Sequence, residues 1–295
     1  MAIKIAVSDA DGDGKGINFT AYLKNFAATY SDATGRGNFS GKTSGDITDP
    51  DDPVGAGAYV TTDSEEDGGN SVIFNASGKF TYDFFSGHVV SGKLQSIVFG
   101  TDTVASDISG GDVEYSNSGD ITISGFKKNY QTSTADGEIM GDILKVDENG
   151  LDSLYAFLRS DSIVFKGSTG SDTFTGYNHA DRLKGGAGSD RLNGAGGNDK
   201  LDGDTGNDKL TGGKGADTFH FASGDGKDTV TDFVAGNKGK DVIEFAHGVF
   251  SNFQDVLDHA SAVSGGVEIS YGSGDTLILS GVKLSSLVAG DFHLL

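Results

Sequence analysis

The chain has 295 residues, a formal net charge of −21, 36% hydrophobic residues and no cysteine. The acidic excess disfavours nucleic acid as a partner, and the lack of cysteine excludes disulfides, cysteine-ligated zinc and cysteine nucleophiles. The length suggests one to three domains, and no apolar run in the sequence is long enough to span a membrane.

Residues 1–165 combine helical and strand patterns. Apolar residues recur at helical spacing from Phe19 to Tyr30 and again from Leu151 to Leu158. Alternating apolar and polar residues, bounded by turn residues, predict strands around 71–74, 79–85, 94–99 and 120–126. A few helices beside several sequence-adjacent strands predict an α+β domain with an antiparallel sheet.

Residues 167–220 are six consecutive nonapeptides. Glycine is the first residue of every unit and aspartate the sixth, and the eighth is leucine or phenylalanine: Phe174, Leu183, Leu192, Leu201, Leu210 and Phe219. The pattern G-G-x-G-x-D-x-U-x is typical of calcium-binding repeats that coil into a parallel β-helix. Each unit supplies a turn and a short strand, so the eighth side chains of all units point inward. We predict an all-β parallel β-roll over 166–230 and a β-rich cap over 231–295.

The sixth residues of the units are the predicted calcium ligands: Asp172, Asp181, Asp190, Asp199, Asp208 and Asp217. Turns of units two apart lie on the same side of the coil, about 4.8 Å from each other. The expected facing pairs are therefore Asp172–Asp190, Asp181–Asp199, Asp190–Asp208 and Asp199–Asp217. Two carboxylates with turn carbonyls form an all-oxygen site, which suits calcium rather than zinc or copper. In the second unit, His179 replaces a glycine, so we expect a distorted turn beside Asp181.

The nonapeptides resemble those of the RTX proteins, which type I secretion systems export through an uncleaved C-terminal signal. Residues 215–233 also resemble the end of the serralysin-type RTX module, and residues 291–295 fit the export signal of that family. The resemblance implies a secreted, extracellular bacterial protein without a cleaved N-terminal signal, with the type I secretion machinery as a partner. Because RTX modules are attached to many functions, it does not define the activity.

The activity is expected in residues 1–165, where familiar enzyme signatures are absent. The sequence contains no His-Glu-x-x-His zinc motif and no Gly-x-Ser-x-Gly nucleophile motif. His88 is the only histidine that precedes the nonapeptides, which disfavours a histidine-dependent triad. We therefore predict a protein that has no catalytic residues and is not an enzyme.

The stretch from Ser77 to Gly100 resembles the haem-binding loop of the HasA-type hemophores, which are secreted proteins that capture haem and pass it to an outer-membrane receptor. The resemblance covers about residues 1–160. It implies that Tyr82 is an axial ligand of ferric haem and that His88 hydrogen-bonds its phenolate. The chain departs from the family in a shorter tyrosine–histidine spacing. The loop over residues 30–38 also lacks the histidine that usually supplies a second axial ligand.

The residues alone leave a second interpretation of Tyr82 open. Phe80, Tyr82 and Phe84 alternate, so Tyr82 could also face a protein core beneath a sheet. With the resemblance, the sequence predicts an extracellular hemophore for iron acquisition, with haem b and calcium as cofactors. An outer-membrane haem receptor and host haem proteins are the implied partners, whereas nucleic acid binding and membrane insertion are not expected. The alternatives are an RTX adhesin or surface-associated binding protein without a haem role, and a secreted enzyme of unrecognised type.

One further acidic motif precedes the first predicted helix. Asp9, Asp11 and Asp13 match the start of an EF-hand calcium loop. Thr20 stands at the twelfth position, where a bidentate glutamate is expected, so the sequence favours a simple acidic turn over a metal site.

Overall fold

The computed structural model describes most of the C-terminal half of the chain and separate segments of the N-terminal half. The described residues are 2–8, 15–29, 38–39, 41–42, 56–62, 71–83, 89–91, 94–100, 104–108, 112–116, 119–124, 152–236 and 241–295. They belong to two compact units. The first unit contains Ala21–Ser160 and Ile3. The second unit contains Lys4–Thr20, Asp161–Leu295 and Ala2. The three domains 1–165, 166–230 and 231–295 stay a prediction.

The first unit is mostly strand. The helices described up to residue 160 are α1 (Phe19–Thr29) and α2 (Asp152–Leu158), as the helical spacing predicted. Leu23 of α1 and both Leu154 and Leu158 of α2 are fully buried. The first strand of the chain is β1 (Ile3–Val7). The strands that follow are β2 (Asn38–Phe39), β3 (Gly41–Lys42), β4 (Ala56–Thr62), β5 (Ser71–Asp83), β6 (Val89–Ser91), β7 (Leu94–Gly100), β8 (Val104–Ile108), β9 (Asp112–Ser116) and β10 (Ile121–Ser124).

Antiparallel pairing organises these strands, which confirms the predicted α+β class. Strands β2, β4, β5, β7 and β10 follow one another in one sheet, and β3, β9 and β8 form another. The two strands predicted around 71–74 and 79–85 belong to a single strand, β5, as far as residue 83, and residues 84–85 lie outside the described residues. Its first half pairs with β7 as far as Ala76, whereas residues 81–83 pair with β6. A register shift between Asn75 and Ala76 accompanies this change of partner.

The second unit contains the predicted parallel β-roll. Its strands are β1, β11 (Ile163–Lys166), β12 (Thr173–Thr175), β13 (Arg182–Ala187), β14 (Arg191–Asn193), β15 (Lys200–Thr205), β16 (Lys209–Thr211), β17 (Thr218–Phe221), β18 (Lys227–Val230), β19 (Val242–Phe245), β20 (Ala260–Val263), β21 (Gly266–Tyr271), β22 (Asp275–Ser280) and β23 (Phe292–Leu294). One sheet has the order β1-β11-β13-β15-β17-β19-β23, and the other has β12-β14-β16-β18-β22-β21-β20. Consecutive repeat strands therefore alternate between two sheets.

The eighth residues of the nonapeptides fill the interior of the roll. All six are at most 2% exposed, and each pairs in register with the residue one coil later, as Leu183 does with Leu201 and Leu192 with Leu210. Phe165 of β11 extends this column, because its ring stacks on that of Phe174 at 4.1 Å. The predicted inward stack is thus observed.

Residues from the start of the chain form an additional coil of the roll. Ile17 O accepts a hydrogen bond from Thr173 N (2.8 Å), and Asn18 pairs with Thr173 in a parallel bridge. The ring of Phe19 meets that of Phe174 edge-on at 5.2 Å. These contacts cover the first repeat strand, which would otherwise present an unpaired sheet edge. No local pattern in the sequence predicts this arrangement.

Antiparallel strands and a short helix complete the C-terminal part. Strand β18 pairs in parallel with β22, which continues through hairpins into β21 and β20. The short helix is α3 (Phe253–Asp258), and Asn252 caps it by accepting a hydrogen bond from Asp255 N (3.1 Å). After this helix, Ala260 begins β20, where its backbone pairs with Ile269. None of the described helices is long and apolar enough to cross a membrane.

Candidate calcium-binding sites

The sixth residues of the nonapeptides form two ladders of buried aspartates. In one ladder the backbone N–H of Asp172 donates to Oδ1 of Asp190, and that of Asp190 donates to Oδ1 of Asp208, both at 2.7 Å. In the other ladder Asp181 donates to Asp199 at 2.7 Å, and Asp199 donates to Asp217 at 2.8 Å. The structure therefore brings together the residues of all four expected pairs, each separated by 18 residues.

Both ladders continue beyond the six nonapeptides. Asp208 N donates to Oδ1 of Asp228 (2.9 Å), which lies 20 residues later. Asp217 N donates to Oδ1 of Asp241 (3.1 Å), which lies 24 residues later. The nonapeptide pattern does not predict Asp228 and Asp241 as ligands, because their spacing breaks the nine-residue register. A search for aspartates that follow a glycine-rich turn and precede an apolar strand would have found both.

Four aspartates keep an oxygen that is free to bind an ion. Oδ2 of Asp190, Asp199, Asp208 and Asp217 is buried and has no hydrogen-bond partner among the described residues. A buried oxygen without a partner costs about 1–3 kcal/mol, and more when it is charged. A bound cation would remove this cost, so these four side chains fit the role of calcium ligands.

Asp172 and Asp181 differ from the other four. Oδ1 of Asp172 accepts a hydrogen bond from Ile17 N, and its Oδ2 accepts from Ser168 N and Ser168 Oγ. Asp181 accepts from Ile163 N through Oδ1 and from Tyr177 N through Oδ2. Both carboxylates are therefore satisfied by protein donors at the N-terminal end of the roll. Their place among the metal ligands stays a prediction.

Backbone carbonyls lie beside the free carboxylate oxygens. A Cβ added to Gly185 would overlap Oδ2 of Asp190 and would lie 2.6 Å from the carbonyl oxygen of Gly203. The carboxylate of one coil and a carbonyl of the next coil therefore surround the same small space. Oxygen donors of this kind are the ones that calcium prefers. In the described part of the chain no three acidic or histidine side chains converge on one point, so a calcium site in the ladders would also use carbonyl or water oxygens.

Burial disfavours the ionised form of the ladder carboxylates in the absence of a cation. It raises the pKa of Asp190 and Asp199 to about 7 and that of Asp208 to about 8, and neighbouring aspartates add to the effect. Backbone N–H donors on the same side chains oppose this shift without cancelling it. A doubly charged ion between two coils would favour the ionised form of both carboxylates.

We expect acidification to weaken calcium binding, because protons and calcium compete for the same oxygens. The apparent calcium affinity should fall as the pH is lowered from about 8 to about 6, where Asp208, Asp190 and Asp199 take up protons. The stability of the calcium-free fold should change with pH in the opposite direction. The pKa values of these aspartates in the fold lie above the value of about 3.9 in the unfolded chain. The free energy of unfolding should therefore fall as the pH rises from about 4 to about 8. Calcium titrations followed by circular dichroism across this range would test both trends. An affinity that is constant with pH would contradict the prediction.

Tyr82, which is assigned to the haem iron, lies in the first unit. Tyr82 is the penultimate residue of β5, and its backbone pairs with Val90 of β6. His88 lies outside the described residues, as do Asp9, Asp11 and Asp13. Tyr82 is therefore placed at the end of a strand, beside the connection that contains His88 in the sequence.

Comparison with known proteins identifies the repeats. Residues 164–192 and 193–229 match the family model of the RTX calcium-binding nonapeptide repeat, so this part of the chain is an RTX module and implies calcium binding. No curated protein matches the chain.

Several solved structures are similar at low identity. The apo form of the hemophore HasA from Yersinia pestis is 17% identical, with 54% of this chain and 89% of that chain covered and a TM-score of 0.38. Its holo form is 16% identical, with the same coverage and a TM-score of 0.36. The extracellular lipase LipA from Serratia marcescens is 21% identical over 74% of this chain, with a TM-score of 0.41, and only 29% of the lipase is covered. TM-scores of this size carry no argument about activity.

Proposed function

We propose that the chain is an extracellular hemophore whose RTX module folds when it binds calcium. The observation that carries the haem assignment is the stretch from Ser77 to Gly100, with its similarity to the haem-binding loop of HasA-type hemophores. Tyr82 is the penultimate residue of β5, and binding residues are disproportionately found where the chain leaves a regular scaffold.

The proposed haem chemistry suits a tyrosine. Ferric iron is a hard acid, and tyrosinate is a known axial ligand of haem. A free tyrosine has a pKa near 10, so the iron and a neutral imidazole must together favour the phenolate. In this proposal Tyr82 binds the iron and His88 hydrogen-bonds the phenolate oxygen. The protein then carries haem to an outer-membrane receptor and catalyses no reaction.

The RTX module supports the proposed location. The six aspartates of its nonapeptides are at most 2% exposed, which is unfavourable until cations are bound. Extracellular calcium modules have dissociation constants of about 10⁻⁴–10⁻³ M, far above cytosolic calcium concentrations. The roll would therefore stay unfolded in the cytosol, pass through the type I secretion machinery and fold outside the cell.

The second candidate is an RTX adhesin or surface-associated binding protein. It keeps the calcium module and assigns another ligand to the first unit, with Tyr82 in the protein core. The alternation of Phe80, Tyr82 and Phe84 is the observation that favours it. Haem binding separates the two candidates.

We expect Tyr82→Phe to abolish the tyrosinate spectrum of the haemin complex. The full chain, titrated with haemin at saturating calcium, should bind one haem with a tyrosinate charge-transfer band in the absorbance spectrum. Tyr82→Phe should lose this band, whereas Tyr59→Phe in the neighbouring strand β4 should keep it. His88→Ala should weaken binding by about 10–100-fold, as removal of a partner of a metal ligand does. If the folded chain binds no haemin saturably, the hemophore proposal is wrong and the calcium module is unaffected.

A further inference from the structure

Five basic side chains share the outer face of one sheet of the roll. Strands β1, β11, β13 and β15 are neighbours in this sheet. Their inward residues, such as Phe165 and Leu183, are buried, so the residues that alternate with them face outward. Five exposed outward residues form what we call the basic patch: Lys4, Lys166, Arg182, Lys184 and Lys200. The patch therefore holds five of the 22 lysine and arginine residues of a chain whose net charge is −21.

The register of the sheet places like charges directly opposite each other in the basic patch. Lys166 of β11 pairs with Lys184 of β13, and Arg182 of β13 pairs with Lys200 of β15. Like charges at facing positions of neighbouring strands repel each other and destabilise a sheet. An anionic ligand that lies over the patch would relieve this repulsion, because its charges would stand between the cations.

Carboxylates of the protein balance only one side of the basic patch. Lys184 Nζ lies 3.4 and 3.0 Å from two carboxylates of β15, and Lys200 Nζ lies 2.6 Å from one carboxylate of β19; these belong to Asp202, Asp204 and Glu244. The other three basic residues of the patch form no ion pair with any described residue. Exposed ion pairs contribute little stability, so even the two paired lysines can contact a ligand at small cost.

We propose that the basic patch binds a linear acidic polysaccharide. Neighbouring strands are about 4.8 Å apart, and alternate residues of one strand are about 6.6 Å apart. The patch therefore offers cations at short, regular intervals, which suits a polymer with a sulfate or carboxylate on each unit. Among the described residues the exposed large apolar side chains are Val234 and Leu295, and neither belongs to the patch. The patch thus lacks the aromatic platform that stacks nucleic acid bases and the apolar groups that enter a membrane.

The negative net charge of the chain is compatible with an anionic ligand at this place. At physiological ionic strength the Debye length is about 8 Å, so charges farther from the ligand are largely screened. Calcium ions bound in the ladders would also reduce the negative charge of the roll. The inference rests on the calcium-dependent folding in the proposed function, because only the folded roll assembles the patch, and it is independent of haem.

Binding of dextran sulfate by the full chain at saturating calcium tests the patch, with uncharged dextran as the reference polymer. The double variant Lys166→Gln/Arg182→Gln should bind fluorescent dextran sulfate about 10-fold more weakly, because two exposed charge contacts are lost. Arg191→Gln/Lys209→Gln is the matched control: it removes the same two charges from a pair that faces each other in the other sheet of the roll. This control should bind as the unmodified chain does. Equal weakening in both double variants would overturn the proposal, since it would show a general effect of net charge.

Stability and alternative polymers complete the test. Lys166→Gln should leave the free energy of unfolding in urea unchanged or higher, because it removes one member of a repelling pair; a decrease would indicate that Lys166 serves the fold instead of a ligand. Circular dichroism of each sample shows whether the roll is folded, so a folded chain that does not bind dextran sulfate contradicts the patch and leaves the calcium proposal intact. Tighter binding to single-stranded DNA or to phosphatidylglycerol vesicles than to dextran sulfate would also overturn the assignment. If the double variant does not fold, the single variant Lys166→Gln decides.

Discussion

Removal of calcium with a chelator is expected to unfold the roll. At a free calcium concentration 100 times the dissociation constant, one site stabilises a fold by about 2.7 kcal/mol. The four aspartates with an unpaired buried oxygen would together account for roughly 11 kcal/mol if each serves one site. This is comparable to the whole stability of an ordinary domain, about 5–15 kcal/mol. Removing the ions should therefore abolish the fold rather than loosen it.

Hydrogen exchange would show how far this unfolding extends. Residues 15–18 share hydrogen bonds with the first repeat strand, through Ile17 N to Asp172 and Thr173 N to Ile17 O. Their amides should therefore lose protection together with those of 161–230 when calcium is chelated. Added calcium should restore protection, whereas magnesium should not, because it requires a smaller and more regular site. Protection of the roll that persists in chelator would contradict the calcium dependence.

Gly188→Ala is expected to destabilise the calcium-bound roll by about 2–5 kcal/mol. Gly188 has a φ of +108°, which strains any residue with a side chain. Its added Cβ would lie 2.6 Å from the carbonyl carbon of Gly170 and 2.9 Å from Ser171 N. These are backbone atoms of the neighbouring coil, so they cannot move aside without opening the roll.

Gly248→Ala separates backbone strain from the clash. Gly248 also has a positive φ, +85°, but an added Cβ there has no other atom within 4 Å. The free energy of unfolding of this control variant should therefore fall only by the cost of a left-handed backbone, about 1–2 kcal/mol. Urea unfolding at saturating calcium gives both free energies of unfolding. An equal decrease in the free energy of unfolding of both variants would show that the close approach of coils at Gly188 adds no cost of its own.

The hydrogen bonds of each ladder would couple neighbouring calcium sites. Oδ1 of Asp208 accepts the backbone N–H of Asp190, while Oδ2 of Asp208 is unpaired and available to an ion. An ion that fixes the Asp208 carboxylate therefore also orients the acceptor for the preceding coil. The same arrangement holds for Asp199 and Asp217, so we expect calcium to bind cooperatively along each ladder.

The nonapeptide pattern by itself determined the core of the roll. Glycine, aspartate and an apolar residue recur at the same positions of a nine-residue period, and a periodic chain leads to a periodic coil. The turns, the inward column from Phe174 to Phe219 and the facing aspartates all depend on contacts between units with a fixed spacing of 18 residues. The helices α1 and α2 were also predictable, because their apolar spacing is local.

Only the tertiary structure decided how the ends of the roll are completed. Ile17 donates to Asp172 across 155 residues, so no local pattern marks residues 15–18 as a coil of the roll. At the other end, Asp228 and Asp241 continue the ladders at spacings of 20 and 24 residues. The contact with Ile17 satisfies Oδ1 of Asp172, and Ser168, four residues earlier, satisfies its Oδ2, whereas Oδ2 of Asp208 has no partner among the described residues. Six aspartates that are equivalent in the sequence become different because their neighbours in space are different.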